Sequence, residues 1–520
     1  MKTSSDDLFR LIKSLDSREK THFKIFSKHG NANYGYLNLF DIINSQEGYY
    51  DEEKVKSKLK DKSRIKNLKH IKSRLSEAIL KFLEQYHSAD SVNAVLRSYI
   101  HRIELMSSKR LFRTAKKILA KAEKLAAENY CYDSMGIVLM LKRDITLAEA
   151  NLSEMRDYPT TLYGKESVNT ELLKNLIDYG KLNIQVSSAA LTQLPVSEEK
   201  RLVLKKLLKD PLLKNKNKAL SFPATLLFYD ISGGVNFMLN NWKKSYQLYK
   251  NVVRLMEQNP ALLKSKTEFY ITVVRRLLMI MERLGKGKEL IHRYTTTKDF
   301  FKSHPAKLKS NSLSRLFMQI NNNYIHYHLQ SFNIKEALSV SEEFLSDIKK
   351  QYDTQLFLVF HKNLFLIYFY LNDYHKALQM LNEILNIKET GVRLDIINEC
   401  KILNIIVHYE LGNDDILPSL CKSAIRYFDK HKEDNKVEKI LLSFFSNTTH
   451  SFNNNKITAQ KNASAYGREK VKTFMELKRN LESYKTEMQT NDFDFLSWID
   501  SKIKNRPFAE VVKGKANVEI

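Results

Sequence analysis

The chain has 520 residues, only 14 glycines and 8 prolines, and a formal net charge of +26. This length exceeds that of a single hydrophobic core, and the scarcity of glycine and proline excludes a turn-dense β architecture. Hydrophobic residues make up 43% of the chain, so wholesale disorder is also excluded. The charge favours an acidic partner, but most of it comes from lysine, which commonly covers solvated helix surfaces. We therefore interpret the charge as mainly compositional.

The three cysteines lie far apart and form no CxxC pair, which is typical of a reducing compartment. No apolar stretch of the kind found in secretion signals follows Met1. The most apolar run, residues 356–371, contains His361, Lys362 and Asn363 and is shorter than the ~20 residues of a membrane span. We therefore expect a cytoplasmic protein in which this run is a buried helix.

Residues 1–90 have the pattern of a separate helical module. Apolar residues at three- and four-residue spacing predict four short helices and then a long one. The short helices are expected after Ser5, from Asp16 to Gly30, over 36–43 and over 51–59, and the long helix over 62–87. Asp16 and Glu19 have the spacing of a capping box at the start of the second helix.

The long helix carries a basic surface beside its apolar stripe. The basic residues are Lys62, Lys66, Lys69, Lys72 and Arg74. A one-sided basic helix is what a nucleic-acid-binding module presents, so nucleic acid is an alternative partner. Arginine is sparse and no helix-turn-helix spacing is present, so a solvated helix face is the interpretation we favour.

From residue 91 to 430 the sequence repeats a pair of helices joined by a short polar turn. In the clearest copy, 361–387, the turn is Asn372-Asp373-Tyr374 and a small residue, Ala377, follows. The equivalent positions are Ser245, Leu290, Ala337, Ala377 and Leu417, whose successive numbers differ by 45, 47, 40 and 40. Such units bury their apolar faces only against one another, which predicts a stacked array. Between residues 129 and 220 the register is not placed.

The turn at 372–374 with Ala377, the small Gly233 and the turn residue Trp242 resemble tetratricopeptide repeats. The whole chain also resembles large uncharacterised bacterial helical-repeat proteins. The resemblance implies an all-α fold, a right-handed α-solenoid of helical hairpins. The change of sequence pattern on either side predicts an N-terminal module over 1–90 and a linker with capping helices over 431–520. The spacing is longer than the family's ~34 residues. Bulky residues replace the family's small residue in three copies, which implies wider helix separation or longer helices: Ile325, Phe365 and Ile405.

The C-terminal region changes character. Residues 451–466 are rich in Asn, Lys and Ser and predict a loop or a weakly ordered segment, after which an amphipathic helix bears Phe474 and Leu477. An aromatic cluster from Phe493 to Ile499 is expected to cap the array, with a peptide-docking patch as the alternative. Asp492 and Asp494 are predicted to be helix caps rather than a catalytic pair.

No motif in the chain predicts reaction chemistry. There is no GxxxxGK[ST], no HExxH and no paired CxxC, and the segment 285–288, rich in Gly and Lys, coincides with a repeat turn. His326 and His328 are two residues apart on a predicted helix, so they point to different faces and do not share a metal. We therefore expect a non-enzymatic protein-interaction scaffold without a metal or cofactor.

The resemblance implies that the first helix of each pair lines a concave groove. The predicted lining residues are Arg275, Asn322, His326, Lys362, Phe369, Tyr370 and Tyr409. Cations mixed with aromatic rings suit a peptide or protein partner of acidic character. The competing interpretation places the three aromatic residues in the core between repeats. A membrane-surface role, the third possibility, requires binding that depends on anionic lipid.

Overall fold

The structure, a computed structural model, describes most of the chain. The described residues are 6–29, 35–46, 50–59, 65–150, 152–157, 160–191, 198–305, 308, 311–348, 353–387, 393–431, 436–459, 463–484, 488 and 492–516. Within these ranges it contains twenty-seven α-helices and no β-strand, so the all-α prediction is confirmed. None of the described helices is long and apolar enough to cross a membrane.

The helices follow one another with short connections. The first thirteen are α1 (Asp7–Ser14), α2 (Ser17–His29), α3 (Gly35–Asn44), α4 (Glu52–Leu59), α5 (Leu68–Tyr86), α6 (Val92–Ser108), α7 (Phe112–Glu128), α8 (Tyr132–Ala148), α9 (Leu152–Asp157), α10 (Leu162–Leu191), α11 (Glu198–Leu207), α12 (Pro211–Lys214) and α13 (Phe222–Met238). The remaining fourteen are α14 (Trp242–Glu257), α15 (Pro260–Ser265), α16 (Thr267–Arg283), α17 (Gly287–Ser303), α18 (Asn311–Gln330), α19 (Ile334–Ile348), α20 (Thr354–Tyr370), α21 (Tyr374–Leu385), α22 (Leu394–Glu410), α23 (Leu417–His431), α24 (Lys436–Ala459), α25 (Ala463–Glu482), α26 (Phe495–Lys504) and α27 (Phe508–Ala516).

The chain forms two compact units. The first comprises Met1–Ile231 with Glu257–Ser265, and the second comprises Ser232–Met256 with Lys266–Ile520. The division into 1–90, 91–430 and 431–520 remains a prediction from the sequence.

Helices α1 to α5 share one apolar core at the start of the first unit. Its fully buried members include Phe23, Leu39, Phe40, Ile43, Leu75 and Ile79. The capping box of α2 is formed as predicted: the Asp16 N–H donates to Glu19 and the Glu19 N–H donates to Asp16, each at 2.7 Å. A turn at Asn67 interrupts the predicted long helix, so α5 begins only at Leu68. Lys62 lies outside the described residues.

The spacing predicted for the repeats is the spacing at which one kind of helix C-terminus recurs along the chain. Between α13 and α22, five helices are followed by a residue in the left-handed conformation, with φ from 54° to 71°. These residues are Asn240, Gly285, Phe332, Asn372 and Gly412, whose successive numbers again differ by 45, 47, 40 and 40. In each case the next N–H reaches back to the carbonyl five residues earlier, as Asp373 does to Tyr368 at 2.9 Å. This is the Schellman arrangement, which satisfies carbonyls at a helix end and turns the chain.

Five residues after each left-handed position comes one of the predicted register residues, and all five are buried. Helices α16, α18, α20, α22 and α24 pack side by side in that order, and α18, α20 and α22 each also pack against the next helix in the chain. We call α16, α18, α20 and α22 the first-helix layer. The bulky Ile325, Phe365 and Ile405 lie on α18, α20 and α22 of this layer, and all three are buried.

Gly233 permits a close helix contact near the start of the second unit. A Cβ atom on Gly233 would lie 3.1 Å from the ring of Tyr249, which is tighter than ordinary van der Waals contact. The Ser245 hydroxyl donates to the Gly233 carbonyl at 2.8 Å, so side chains of α14 lie directly against the backbone of α13. The small residue noted in the sequence therefore has a packing reason.

The loop predicted for 451–466 is wrong. Helix α24 continues to Ala459 and α25 begins at Ala463, leaving only 460–462 outside the described residues. Asn and Ser are weak helix formers, but helix propensity is a small term that flanking helical turns override. The aromatic cluster that follows is buried at Phe493, Trp498 and Ile499.

Candidate functional site

The first-helix layer brings four ionisable side chains together, one from each helix. They are Glu282 from α16, His326 from α18, Lys362 from α20 and Glu399 from α22. A fifth, Asp492, arrives from the segment just before α26. We call these five residues the ionic row. Charged residues are rarely buried unless they are paired, so a row of buried ionisable side chains within this layer marks a candidate site.

Lys362 is the centre of the ionic row. Its side chain is only 6% exposed, and its Nζ binds Glu399 and also lies 2.9 Å from Oδ2 of Asp492. Burial disfavours a charged lysine, but the two carboxylates outweigh it and raise the pKa of Lys362. Burial raises the pKa of Glu399, whose side chain is 7% exposed and which also accepts the Phe493 N–H at 3.4 Å.

His326 extends the row toward solvent. Its Nδ1 lies 2.7 Å from Glu282, and its Nε2 lies 3.7 Å from Asp492. Burial opposes the charged imidazole, but hydrogen bonding to Asp492 and Glu282 prevails and raises the pKa of His326 to about 9. Partial burial of Asp492 pushes its pKa upward, yet His326 and Lys362 hold that pKa well below its usual range. At neutral pH the Asp492 carboxylate therefore lies between two cations.

The carboxylates beside Lys362 and His326 raise the pKa values of both side chains, so both carry a positive charge at neutral pH. The pair therefore acts as an electrostatic clamp on a carboxylate.

An aromatic pocket adjoins the clamp. Phe369 is fully buried, and its ring centroid lies 5.1 Å from that of Phe493 and 5.4 Å from that of Phe508. Tyr370 stacks on Phe508 with centroids 5.2 Å apart and planes nearly parallel. Burial raises the pKa of Tyr370. The residue pair Asp492-Phe493 thus places its carboxylate in the clamp and its ring in the pocket.

The segment remains in contact with the array beyond this pair. The Trp498 indole N–H donates to Glu410 at 2.6 Å, and Lys502 lies 2.5 Å from the same carboxylate. The ring of Trp498 lies 6.1 Å from that of Tyr409 in an edge-on arrangement. Asp500 pairs with Lys478 of α25 at 2.9 Å. We call residues 492–508 the docked segment.

Five of the seven predicted groove residues contact the docked segment: His326, Lys362, Phe369, Tyr370 and Tyr409. Asn322 is buried next to them and accepts a hydrogen bond from Asn363 at 2.8 Å. Arg275 is different: its guanidinium contacts the sulfur of Met279 at 3.7 Å, and burial lowers its pKa. Most of the predicted groove residues therefore lie together, and the docked segment of the same chain covers them.

The basic residues of the N-terminal module divide into two groups. Lys66, Lys69 and Arg74 are exposed. Lys72 instead lies 2.6 Å from Glu52 of α4, so it serves the packing of that module.

Three carboxylates of the ionic row were not predicted. Glu282 and Glu399 are acidic residues within helices whose buried residues are mainly apolar, and that interruption is the signal that the sequence offers. Asp494 does cap α26, since it accepts the Ser497 N–H at 2.9 Å. The capping role predicted for Asp492 is wrong, because its carboxylate is drawn to Lys362 instead.

The sequence matches no protein-family model and no curated protein sequence. In the part of the chain that the structure describes, no three His, Cys, Asp or Glu side chains converge to hold a metal ion.

Proposed function

We propose that the protein is a non-enzymatic interaction scaffold built as a right-handed, tetratricopeptide-like α-solenoid. Its first-helix layer binds a peptide or protein segment in which an acidic residue is followed directly by an aromatic one. The placement of Asp492 and Phe493 supports this proposal, because the layer already holds a segment of that chemistry. The regular recurrence of the same helix end through the second unit supports the solenoid.

The two halves of the site have different roles. A carboxylate held by Lys362 and His326 in partly dehydrated surroundings supplies selectivity, because a ligand without it leaves two cations unpaired. The ring in the pocket of Phe369 and Tyr370 supplies most of the affinity, as buried aromatic anchors generally do.

A partner must compete with the docked segment, which is tethered and therefore present at high effective concentration. The apparent affinity of the wild-type chain is reduced by the fraction of molecules whose site is covered. Weakening the docked segment is expected to increase partner binding without any change in the site itself.

Fluorescence anisotropy with a labelled synthetic peptide of residues 492–508 tests the proposal. The full chain carrying Asp492→Asn is expected to bind the peptide about tenfold more tightly than the wild-type chain, since one charge-assisted anchor of the competitor is lost. Peptides with Asp492→Asn or Phe493→Ala are expected to bind at least about tenfold more weakly to either chain.

Matched receptor variants complete this experiment. Lys362→Gln is expected to abolish discrimination between the Asp and Asn peptides, whereas Lys335→Gln, at an exposed position, leaves it unchanged. Equal binding of all three peptides to the wild-type and D492N chains would contradict the proposed site.

One observation favours a second function, nucleic-acid association through the N-terminal module. Among the described residues Lys66, Lys69 and Arg74 form no ion pair, so their charge is available to phosphate. Salt-dependent retention on DNA or RNA that falls with K66E/K69E would support this alternative. Retention that is unchanged by that double substitution would exclude it.

A further inference from the structure

We infer that one end of the α6–α8 hairpins in the first unit docks onto the surface of an anionic lipid membrane. This surface is independent of the ionic row and does not rest on the proposed function. It combines exposed aliphatic side chains with cations that form no ion pair with another described residue, at two adjacent turns.

The two turns lie at the same end because α6, α7 and α8 pack as consecutive antiparallel helices. The turn after α6 ends at Leu111, and the turn after α8 contains Glu149. Lys116, in the first half of α7, bridges them, with its Nζ 2.5 Å from Glu149 and 2.9 Å from Glu154. We call this end of the hairpins the turn edge.

The turn edge is unusually apolar for exposed turns. Five aliphatic side chains on it are between 39% and 76% exposed: Leu105, Leu111, Leu147, Leu152 and Met155. Single exposed leucines are ordinary, but a group at neighbouring turns is characteristic of a binding surface. Leu152 is the most exposed of the five.

The same edge carries uncompensated positive charge. Lys109, Arg110, Arg113 and Arg156 are exposed, and none of them forms an ion pair with another described residue. Two carboxylates of the edge are already in ion pairs, because Glu149 and Glu154 both pair with Lys116.

Cations surrounding protruding aliphatic side chains match the interface of an anionic bilayer, where phosphate or carboxylate headgroups overlie acyl chains. A nucleic acid would use the cations but leave the leucines in water, and it would favour aromatic platforms for its bases. The aliphatic character of the edge therefore selects a lipid surface over a polynucleotide.

Vesicle co-flotation of the full chain tests this inference. The chain is expected to float with phosphatidylcholine vesicles that contain phosphatidylserine as about one lipid in three, and to remain behind with pure phosphatidylcholine. K109E/R113E is expected to lower the partition coefficient by at least about 25-fold, since each cation near an anionic surface contributes about fivefold. L111S/L152S is expected to lower it about tenfold or more while leaving retention on DNA unchanged.

The control K302E/K335E makes the same charge change at exposed positions in the second unit and is expected to alter the partition coefficient less than twofold. An equal fall with this control would show diffuse attraction by the net charge and overturn the inference. Charge-dependent flotation that ignores the two leucines, or no flotation with either vesicle, would overturn it as well. Circular dichroism verifies that every variant is folded.

Discussion

Removing the charge of Lys362 is expected to destabilise the second unit strongly. Lys362→Met preserves the length of the side chain but leaves the Glu399 carboxylate, 7% exposed, without its cation. Asp492 is 38% exposed and can regain water, so the loss falls mainly on Glu399.

The magnitude follows from either fate of Glu399. Leaving the carboxylate charged and unpaired costs about 3–5 kcal/mol, as measured for broken buried pairs. Protonating it at pH 7, against an ordinary value near 4.5, costs about 3 kcal/mol at about 1.36 kcal/mol per pH unit. Both routes predict that K362M lowers the free energy of unfolding by about 3 kcal/mol.

The pH dependence of this loss has a definite sign. In K362M, burial without a cation raises the pKa of Glu399 in the folded state. The folded variant is therefore destabilised at pH values above the pKa of Glu399 in the unfolded chain, and not at pH values below it. The deficit of K362M relative to wild type is therefore expected to shrink as pH falls from 7 toward 4.5.

Tryptophan fluorescence is a suitable measure, because both tryptophans, Trp242 and Trp498, belong to the second unit. Urea unfolding curves at pH 7 and pH 5 give the two free energies. Lys376→Met is the matched control, since Lys376 is 59% exposed and its ion pair, among the described residues, is with the nearby Asp373. Its loss is expected to stay below about 1 kcal/mol. A K362M loss as small as that of the control, or one independent of pH, would refute this account.

Three further outcomes are expected. Urea unfolding at several pH values is expected to show wild type more stable than H326Q, because the raised pKa makes the charged His326 stabilising. This difference is expected to be greatest below pH 6.5 and to vanish as pH rises through about 9, while Asp492 stays ionised throughout. Thermal unfolding is expected to show G233A destabilised by about 1–3 kcal/mol through overpacking, and G180A, where a Cβ meets open space, stabilised by about 0.5–1 kcal/mol. Phe493→Ala is expected to cost about 3–5 kcal/mol in urea unfolding and to speed amide exchange in α26.

The repeat could be predicted because its helix ends depend on local chemistry. Four of the five turns are visible in the sequence, because they contain residue types that accept the left-handed conformation: Asn240, Gly285, Asn372 and Gly412. Phe332 adopts the left-handed conformation although phenylalanine does not favour it. The position of this turn can be predicted only from the spacing of the neighbouring repeats.

The candidate site could be predicted only in part. Lys362 was recognisable because it interrupts an apolar run, yet nothing in the sequence specifies that its partner is Asp492, which lies far along the chain. That pairing depends on how the docked segment lies across the first-helix layer, which is a tertiary property. For the same reason the sequence predicts a groove lined by these residues but does not show that the docked segment covers it.

The buried charges need a reason other than stability, since a buried ion pair is often no more stable than well-packed apolar residues. We expect K362M/E399M, which removes both charges of the buried pair, to recover most of the stability lost in K362M, within about 1–2 kcal/mol of wild type. If the charges serve recognition, this double variant no longer distinguishes peptide 492–508 from its Asp492→Asn form, although it is folded. Urea unfolding and peptide anisotropy on one preparation measure both quantities. A double variant that stays as unstable as K362M, or that still prefers the Asp peptide tenfold, would show that the pair is structural.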